Sequence, residues 1–164
     1  MGYYNEISAG YNMLHSEEQL AKAALIKKHA DFRGLLLDIG AGTGLATVQF
    51  QGNAECIALD PAIEMLRQFP GMKVVGRAEQ LPFKNASFDS VISITALHHS
   101  NIEQAKPEIG RVSKENAAIA VSFFKRAANF GKARGLFKGF REIDSEKDLI
   151  FVKQRIALKI KQPF

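Results

Sequence analysis

Apolar residues along this chain fall into short, nearly unbroken runs separated by longer stretches of helical spacing. The runs lie at 35–39, 55–59, 72–76, 88–94 and 117–123. All five read as strands, that at 35–39 as buried on both faces in the middle of a parallel sheet and that at 117–123 as buried too. Between them the pattern predicts a short helix over 45–51, a helix opened by Pro61 as its first residue, and one carrying Pro107 that runs to about Lys114. Residues 125–137 read as helix or loop, and 138–144 with 149–155 read as a closing hairpin around a polar turn. At the N-terminus Tyr3, Tyr4, Ile7, Tyr11 and Leu14 form an amphipathic stripe over 3–15 that breaks near Gly10. Ser16-Glu-Glu-Gln19 is a capping-box pattern, so a second helix is expected from there to about residue 31, its apolar face carrying Leu20, Ala23, Ala24 and Ile26. Strands alternating with helices define an α/β, doubly wound, mostly parallel sheet that binds its ligand at the carboxyl ends of the strands. No repeat, low-complexity segment or linker divides the chain. The expected organisation is therefore one domain over 1–164, a helical cap (1–33) followed by a core (34–164).

Composition adds limits. At 164 residues the chain can bury roughly 70% of its unfolded surface. The single cysteine, Cys56, sits among strand residues and reads as a buried thiol rather than a nucleophile. No signal peptide or bilayer-length apolar run is seen, and Glu6 occupies the position where a myristoylation signal needs Ser or Thr. A cytoplasmic protein is expected. The formal charge of +5 is concentrated late: residues 125–164 hold 11 Lys/Arg against 4 Asp/Glu, whereas residues 1–124 hold 11 against 13.

The chemistry is densest at 35–44, Leu-Leu-Leu-Asp-Ile-Gly-Ala-Gly-Thr-Gly. A strand runs into a turn whose glycines let the backbone bend sharply and approach a ligand. Dinucleotide loops read G-x-G-x-x-G and face a pyrophosphate. Here the third glycine comes one position early, and Asp38 stands two residues before the first. A carboxylate at the cradle is wrong for a phosphate and suits a cationic group such as an ammonium or a sulfonium. No Gly-Lys-Ser/Thr follows, which excludes a P-loop.

Downstream, Asp60 ends the second strand 20 residues beyond Gly40, where open α/β folds place an acceptor for ribose hydroxyls; capping the helix that Pro61 opens is a compatible role, and ribose binding is the favoured one. His98 and His99 follow the fourth strand and face the same crevice. Tyr4 and Tyr11 either line the pocket mouth or pack into the core. Aromatic and basic residues alternate from Phe123 to Lys138. They could meet a polyanion such as RNA through the basic residues of 125–141, or pack the rings on the sheet with the cations in water; the second reading is preferred. No metal site is expected.

On these residues the chain resembles the class I S-adenosylmethionine-dependent methyltransferases. It is most similar to the type 11 group that includes ubiquinone- and menaquinone-biosynthesis C-methyltransferases. The resemblance rests on Leu37–Gly44, on Ala58-Leu-Asp-Pro-Ala62 with Met65-Leu66, on Ala78–Phe83, and on Phe88–Ser93 with Leu97-His-His99; Tyr4–Tyr11 resembles the group's leader helix. It implies a seven-stranded sheet with one antiparallel strand, S-adenosylmethionine as cofactor, and N-terminal helices over the cofactor site. By the same resemblance Asp38 and the turn Gly40, Ala41, Gly42, Thr43, Gly44 hold the methionine moiety. Asp60 takes the ribose, Pro61 and Ala62 flank the adenine, Ala78 meets the adenine edge through its backbone, and Thr95 lies beneath the methionine end. Two departures stand out. Arg77 occupies a position where relatives often carry Asp, leaving the adenine amino group to Glu79 or to backbone atoms. The turn before the fifth strand reads Lys114-Glu-Asn-Ala117, which places Asn116 in the left-handed conformation.

Methyl transfer from a sulfonium is an in-line displacement that mainly requires the acceptor to be held close and aligned. A protic acceptor would gain from a base, for which His98 and His99 are the candidates. A small-molecule acceptor is favoured and the oligomeric state is left open. Competing expectations are a non-catalytic S-adenosylmethionine-binding subunit of a larger complex and, disfavoured by the glycine spacing and Asp38, a nucleotide-dependent oxidoreductase.

Overall fold

Leu36 and Leu37 show how the chain sorts itself. Adjacent residues of one strand point to opposite faces, and these two enter different cores. The computed structural model describes residues 8–154, with side chains from Ser16 onward. Its elements are α1 (Ser8–Lys27), β1 (Gly34–Ile39), β2 (Ala54–Asp60), α2 (Ile63–Leu66), β3 (Met72–Val75), β4 (Phe88–Ile94), α3 (Ile102–Val112), β5 (Ser113–Phe124), α4 (Phe130–Leu136), β6 (Arg141–Asp144) and β7 (Asp148–Lys153). They build one seven-stranded sheet in the order β3-β2-β1-β4-β5-β7-β6. Strands β1 to β5 pair in parallel, and β7 runs antiparallel to both β5 and β6. The α/β, mostly parallel, seven-stranded expectation is met, including the single reversed strand.

One face of the sheet packs Leu37, Val91, Val121 and Phe151 under α3 and α4. The other packs Leu36, Ile92, Ala120 and Ile150 under α1. In α1, Ala23 and Ile26 are fully buried at the spacing of one helical face.

Several local expectations are corrected. The N-terminal break near Gly10 does not occur: α1 runs unbroken through Gly10 and Ser16, so Ser16-Glu-Glu-Gln19 lies inside a helix and caps nothing. A glycine costs a helix only about 1 kcal/mol relative to alanine, too little to break a helix anchored on the sheet. Ala24 is exposed, and Lys22 is buried in its place. The helix expected over 45–51 shrinks to a single 3-10 turn, Thr47–Gln49. Pro61 is not a first helical residue, because α2 begins at Ile63 after Ala62. Asn116 is not left-handed, since among the described residues only Ala86 and Thr95 combine a side chain with positive φ. Instead β5 starts at Ser113 directly from α3, and the register between β4 and β5 slips there, so residues 114–117 are taken up as an irregularity. Cys56 is buried as expected, and burial pushes its thiol up to about 11, which leaves it inert as a nucleophile.

Candidate functional site

The carboxyl ends of β1, β2 and β4 meet at the glycine turn. Gly40 and Ala41 both donate to the Leu59 carbonyl, at 2.7 and 3.0 Å, pinning the turn to the end of β2. Gly40, Gly42 and Gly44 adopt φ of 74°, 58° and 79°. A side chain at Gly40 would overlap the methyl of Ala96, and one at Gly44 would enter the ring of Phe69. Glycine is required at both.

Two acids bracket the turn. Asp38 is buried and accepts from the Thr47 hydroxyl at 2.6 Å. Burial, with a smaller contribution from the Asp60 charge, pushes the Asp38 carboxyl up to about 7, against the lowering effect of Thr47. Asp60 accepts from the backbone N–H of Gly42 at 2.9 Å and of Ala62 at 2.8 Å. It thus ties the glycine turn to the start of α2 through an Asx-type turn rather than a helix cap. Burial raises its carboxyl and the two N–H donors oppose that rise.

Two clefts open beside the turn. One is lined by Gly40, Pro61, Ala78, Glu79, Leu97 and His99 among others. The second, smaller one lies between α1 and the turn and is lined by Gln19, Asp38, Gly40–Gly42, Ala46 and Ile94. Of the residues expected to meet an adenine, Pro61, Ala78 and Glu79 share the first cleft, with Ala62 buried beside it at the start of α2. Glu79 is engaged elsewhere: Oε1 accepts from Asn101 N–H at 2.9 Å, where α3 begins, and Oε2 lies 3.8 Å from Arg77. Thr43 is buried in the turn.

Thr95 is a β-branched residue at φ 53°, a strained conformation. Its amide donates to Ser122 Oγ at 2.7 Å, and its hydroxyl lies 3.0 Å from Asp148 Oδ2 and 2.8 Å from Lys22 Nζ. The side chain is thus drawn toward α1 and β7, and Ile94 and Ala96 on either side line the two clefts instead. Lys22 also pairs with Asp148 and, at 2.6 Å, with Glu18. Sequence reasoning missed Gln19, Lys22, Thr47 and Asp148. A lysine on the apolar stripe of a helix, with an acid four residues earlier, was the one signal available for Lys22.

The two histidines separate. His99 lines the larger cleft. His98 turns toward β5, its ring 6.2 Å from that of Phe123 and 6.3 Å from that of Phe124, and its buried Nδ1 has no hydrogen-bond partner. Burial, reinforced by His99, pushes His98 down to about 4, with Asp148 pulling the other way. It is therefore a neutral imidazole near pH 7. Tyr4 lies outside the described residues, as does the side chain of Tyr11.

Most rings of the basic segment pack inward. Phe123 and Phe137 are fully buried, and Phe130 and Phe140 pack against the same core. Lys125, Lys132 and Arg134 are paired with Asp144, Glu103 and Glu142. Among the described residues no helix is long and apolar enough to cross a membrane.

A doubly wound sheet with one reversed strand, a three-glycine turn after β1 and buried acids ending β1 and β2 define a class of protein. Residues 37–121 match the family model for a methyltransferase domain, and the chain belongs to that family. Uncharacterized protein MJ1252 of Methanocaldococcus jannaschii is 35% identical over 121 residues, covering 70% of this chain and 47% of that protein. A demethylmenaquinone methyltransferase of Mycobacterium bovis is 35% identical over 101 residues, covering 57% of this chain and 42% of that one. The chain thus spans less than half the length of these curated relatives. The solved structure of the PH0226 protein from Pyrococcus horikoshii shares the fold, with a TM-score of 0.70 at 19% identity over 87% of this chain and 89% of that one.

Proposed function

We propose that the protein is an S-adenosylmethionine-dependent methyltransferase acting on a small-molecule acceptor. The observation that carries this reading is the pair of buried acids, Asp38 and Asp60, on either side of a turn that admits no side chain at Gly40 or Gly44. Acidic side chains at the turn suit a ligand with a sulfonium, an ammonium and a ribose, and repel a pyrophosphate. In this reading Asp38 and Gly40–Gly44 hold the methionine moiety and Asp60 accepts from the ribose hydroxyls. Pro61, Ala62 and Ala78 enclose the adenine, whose edge relies on backbone atoms because Glu79 is tied to Asn101. The cofactor, when bound, supplies an activated methyl group and a good leaving group.

The chain's own contribution is to align the acceptor and exclude water. Of the two histidines, His99 borders the larger cleft, whereas His98 turns toward Phe123 and Phe124 and burial lowers its basicity, so neither carries the reading. The packing of Phe123, Phe130, Phe137 and Phe140 on the core supports a small molecule over RNA.

Calorimetry with S-adenosylhomocysteine and with NAD tests the cofactor, and labelled-methyl transfer by the isolated protein to a panel of small acceptors tests the activity. Binding of S-adenosylhomocysteine alone, with turnover, is expected. Binding of NAD alone would overturn the reading, and binding without turnover on any acceptor would favour a non-catalytic subunit. Asp60→Ala is expected to weaken S-adenosylhomocysteine by about 1.5–3 kcal/mol through lost charge-assisted hydrogen bonds. Unchanged affinity in the folded variant would reduce Asp60 to a link between the turn and α2.

A further inference from the structure

The face that α1 turns to the sheet carries Gln19, Lys22, Ala23 and Ile26, residues three and four apart along one side of the helix. Ala23 and Ile26 are apolar packing. Gln19 and Lys22 are the polar members of this face. Gln19 reaches the smaller cleft opposite Asp38 and the Gly40–Gly42 turn. Lys22, only 4% exposed, places its ammonium among Glu18, Thr95 and Asp148, and Glu18 in turn meets Lys147 at 3.1 Å. A chain of alternating charges, Lys147–Glu18–Lys22–Asp148, therefore joins α1 to the start of β7 and the end of β4.

Ala23 and Ile26 pack α1 on the sheet, and the ion pairs add a directional constraint to that packing. A buried ion pair costs desolvation and is satisfied in one register only, so this network fixes which helix residue stands over the cleft. That residue is Gln19.

Resting on the cofactor reading above, we propose that Gln19 is a cofactor-binding residue for the amino-acid end of the ligand, and that the Lys22–Asp148 pair is the positioning element that holds it there. The chemistry of the amide matches that end. Its carbonyl accepts from an α-ammonium while its NH₂ donates to an α-carboxylate, and Asp38 across the cleft supplies the opposing charge for the ammonium. Asp148 Oδ1, fully buried without a partner, leaves that carboxylate's charge to be balanced by Lys22. Removal of the lysine would therefore be felt by the whole of α1.

The test compares S-adenosylhomocysteine with 5′-methylthioadenosine, which keeps the adenine, ribose and sulfur and lacks the amino-acid end. Gln19→Met retains length and helix propensity and removes the amide. It is expected to lower calorimetric affinity for S-adenosylhomocysteine about tenfold and to leave methylthioadenosine within about twofold of wild type. The paired variant Lys22→Met/Asp148→Leu replaces the ion pair with apolar side chains, an exchange folds often tolerate. It should reproduce the same selective loss. Equal affinity of Gln19→Met and wild type for S-adenosylhomocysteine would overturn the proposal, as would an equal loss for both ligands. Wild-type protein that binds the two ligands equally would overturn it while leaving the cofactor reading intact. Wild-type protein that binds neither would remove the cofactor reading and the proposal together.

Discussion

Asp38→Asn is expected to weaken S-adenosylhomocysteine while making the unliganded protein more stable above neutral pH. The carboxyl of Asp38 is displaced from an ordinary 3.8 to about 7, chiefly by burial. Between those values the folded chain holds a proton that the unfolded chain has released. Stability therefore falls as pH rises through that window, and above about pH 7 the fold carries a buried, ionised carboxylate at full cost. Asparagine keeps an acceptor for the Thr47 hydroxyl and carries no charge. Melting curves should show the variant level with wild type near pH 4 and about 1–3 kcal/mol more stable at pH 8. Binding should move the other way. An ammonium beside Asp38 favours the ionised form, so wild-type association should release up to one proton and weaken by up to tenfold per pH unit below about 7. In the variant this pH dependence should vanish and affinity should drop by about 1.5–3 kcal/mol. A wild-type affinity flat from pH 5.5 to 8 would show that Asp38 does not face the ligand's charge.

Gly44→Ala should act on the fold itself. The residue sits at φ 79°, and a methyl there would enter the ring of Phe69, which is fully buried against Ala41, Ala58 and Leu66. The left-handed conformation costs an alanine roughly 1–2 kcal/mol. Forcing extra volume into a packed core costs a further ~1–3 kcal/mol. Denaturant unfolding should therefore show a loss of about 2–5 kcal/mol. By contrast, Gly110→Ala, at an exposed helical position with open space for a methyl, should be neutral or slightly stabilising. A similar cost at both sites would refute the geometric account of the turn. The contrast also explains the spacing of the third glycine, which answers to Phe69 packed beneath the turn.

The framework of the protein was legible in the order of its residues. β4 lies at Phe88–Ile94, the apolar run read from the sequence, and β1, β2 and β3 fall within a residue or two of theirs. Strands in the middle of a sheet need continuous apolar runs, as β1 and β4 show, whereas β3 at the edge leaves Met72 and Val75 exposed. The glycine turn and its two acids were legible for a similar reason: positive φ and close approach admit few residue types. Where helices begin and end was less legible. The Ser16-Glu-Glu-Gln19 pattern is a cap only if the chain before it is not already helical, and Gly10 stops a helix only if packing does not hold it. Tertiary anchoring of α1 on the sheet decided both. Beyond any local reading were the partners of Lys22 and Asp148, 126 positions apart in the sequence. The chain alone determined the sheet, the turn and the acids, because backbone conformation and burial select residue types position by position. Only the folded structure decided which charges meet, which histidine faces the cleft and what stands over it, because those depend on distances between residues remote along the chain.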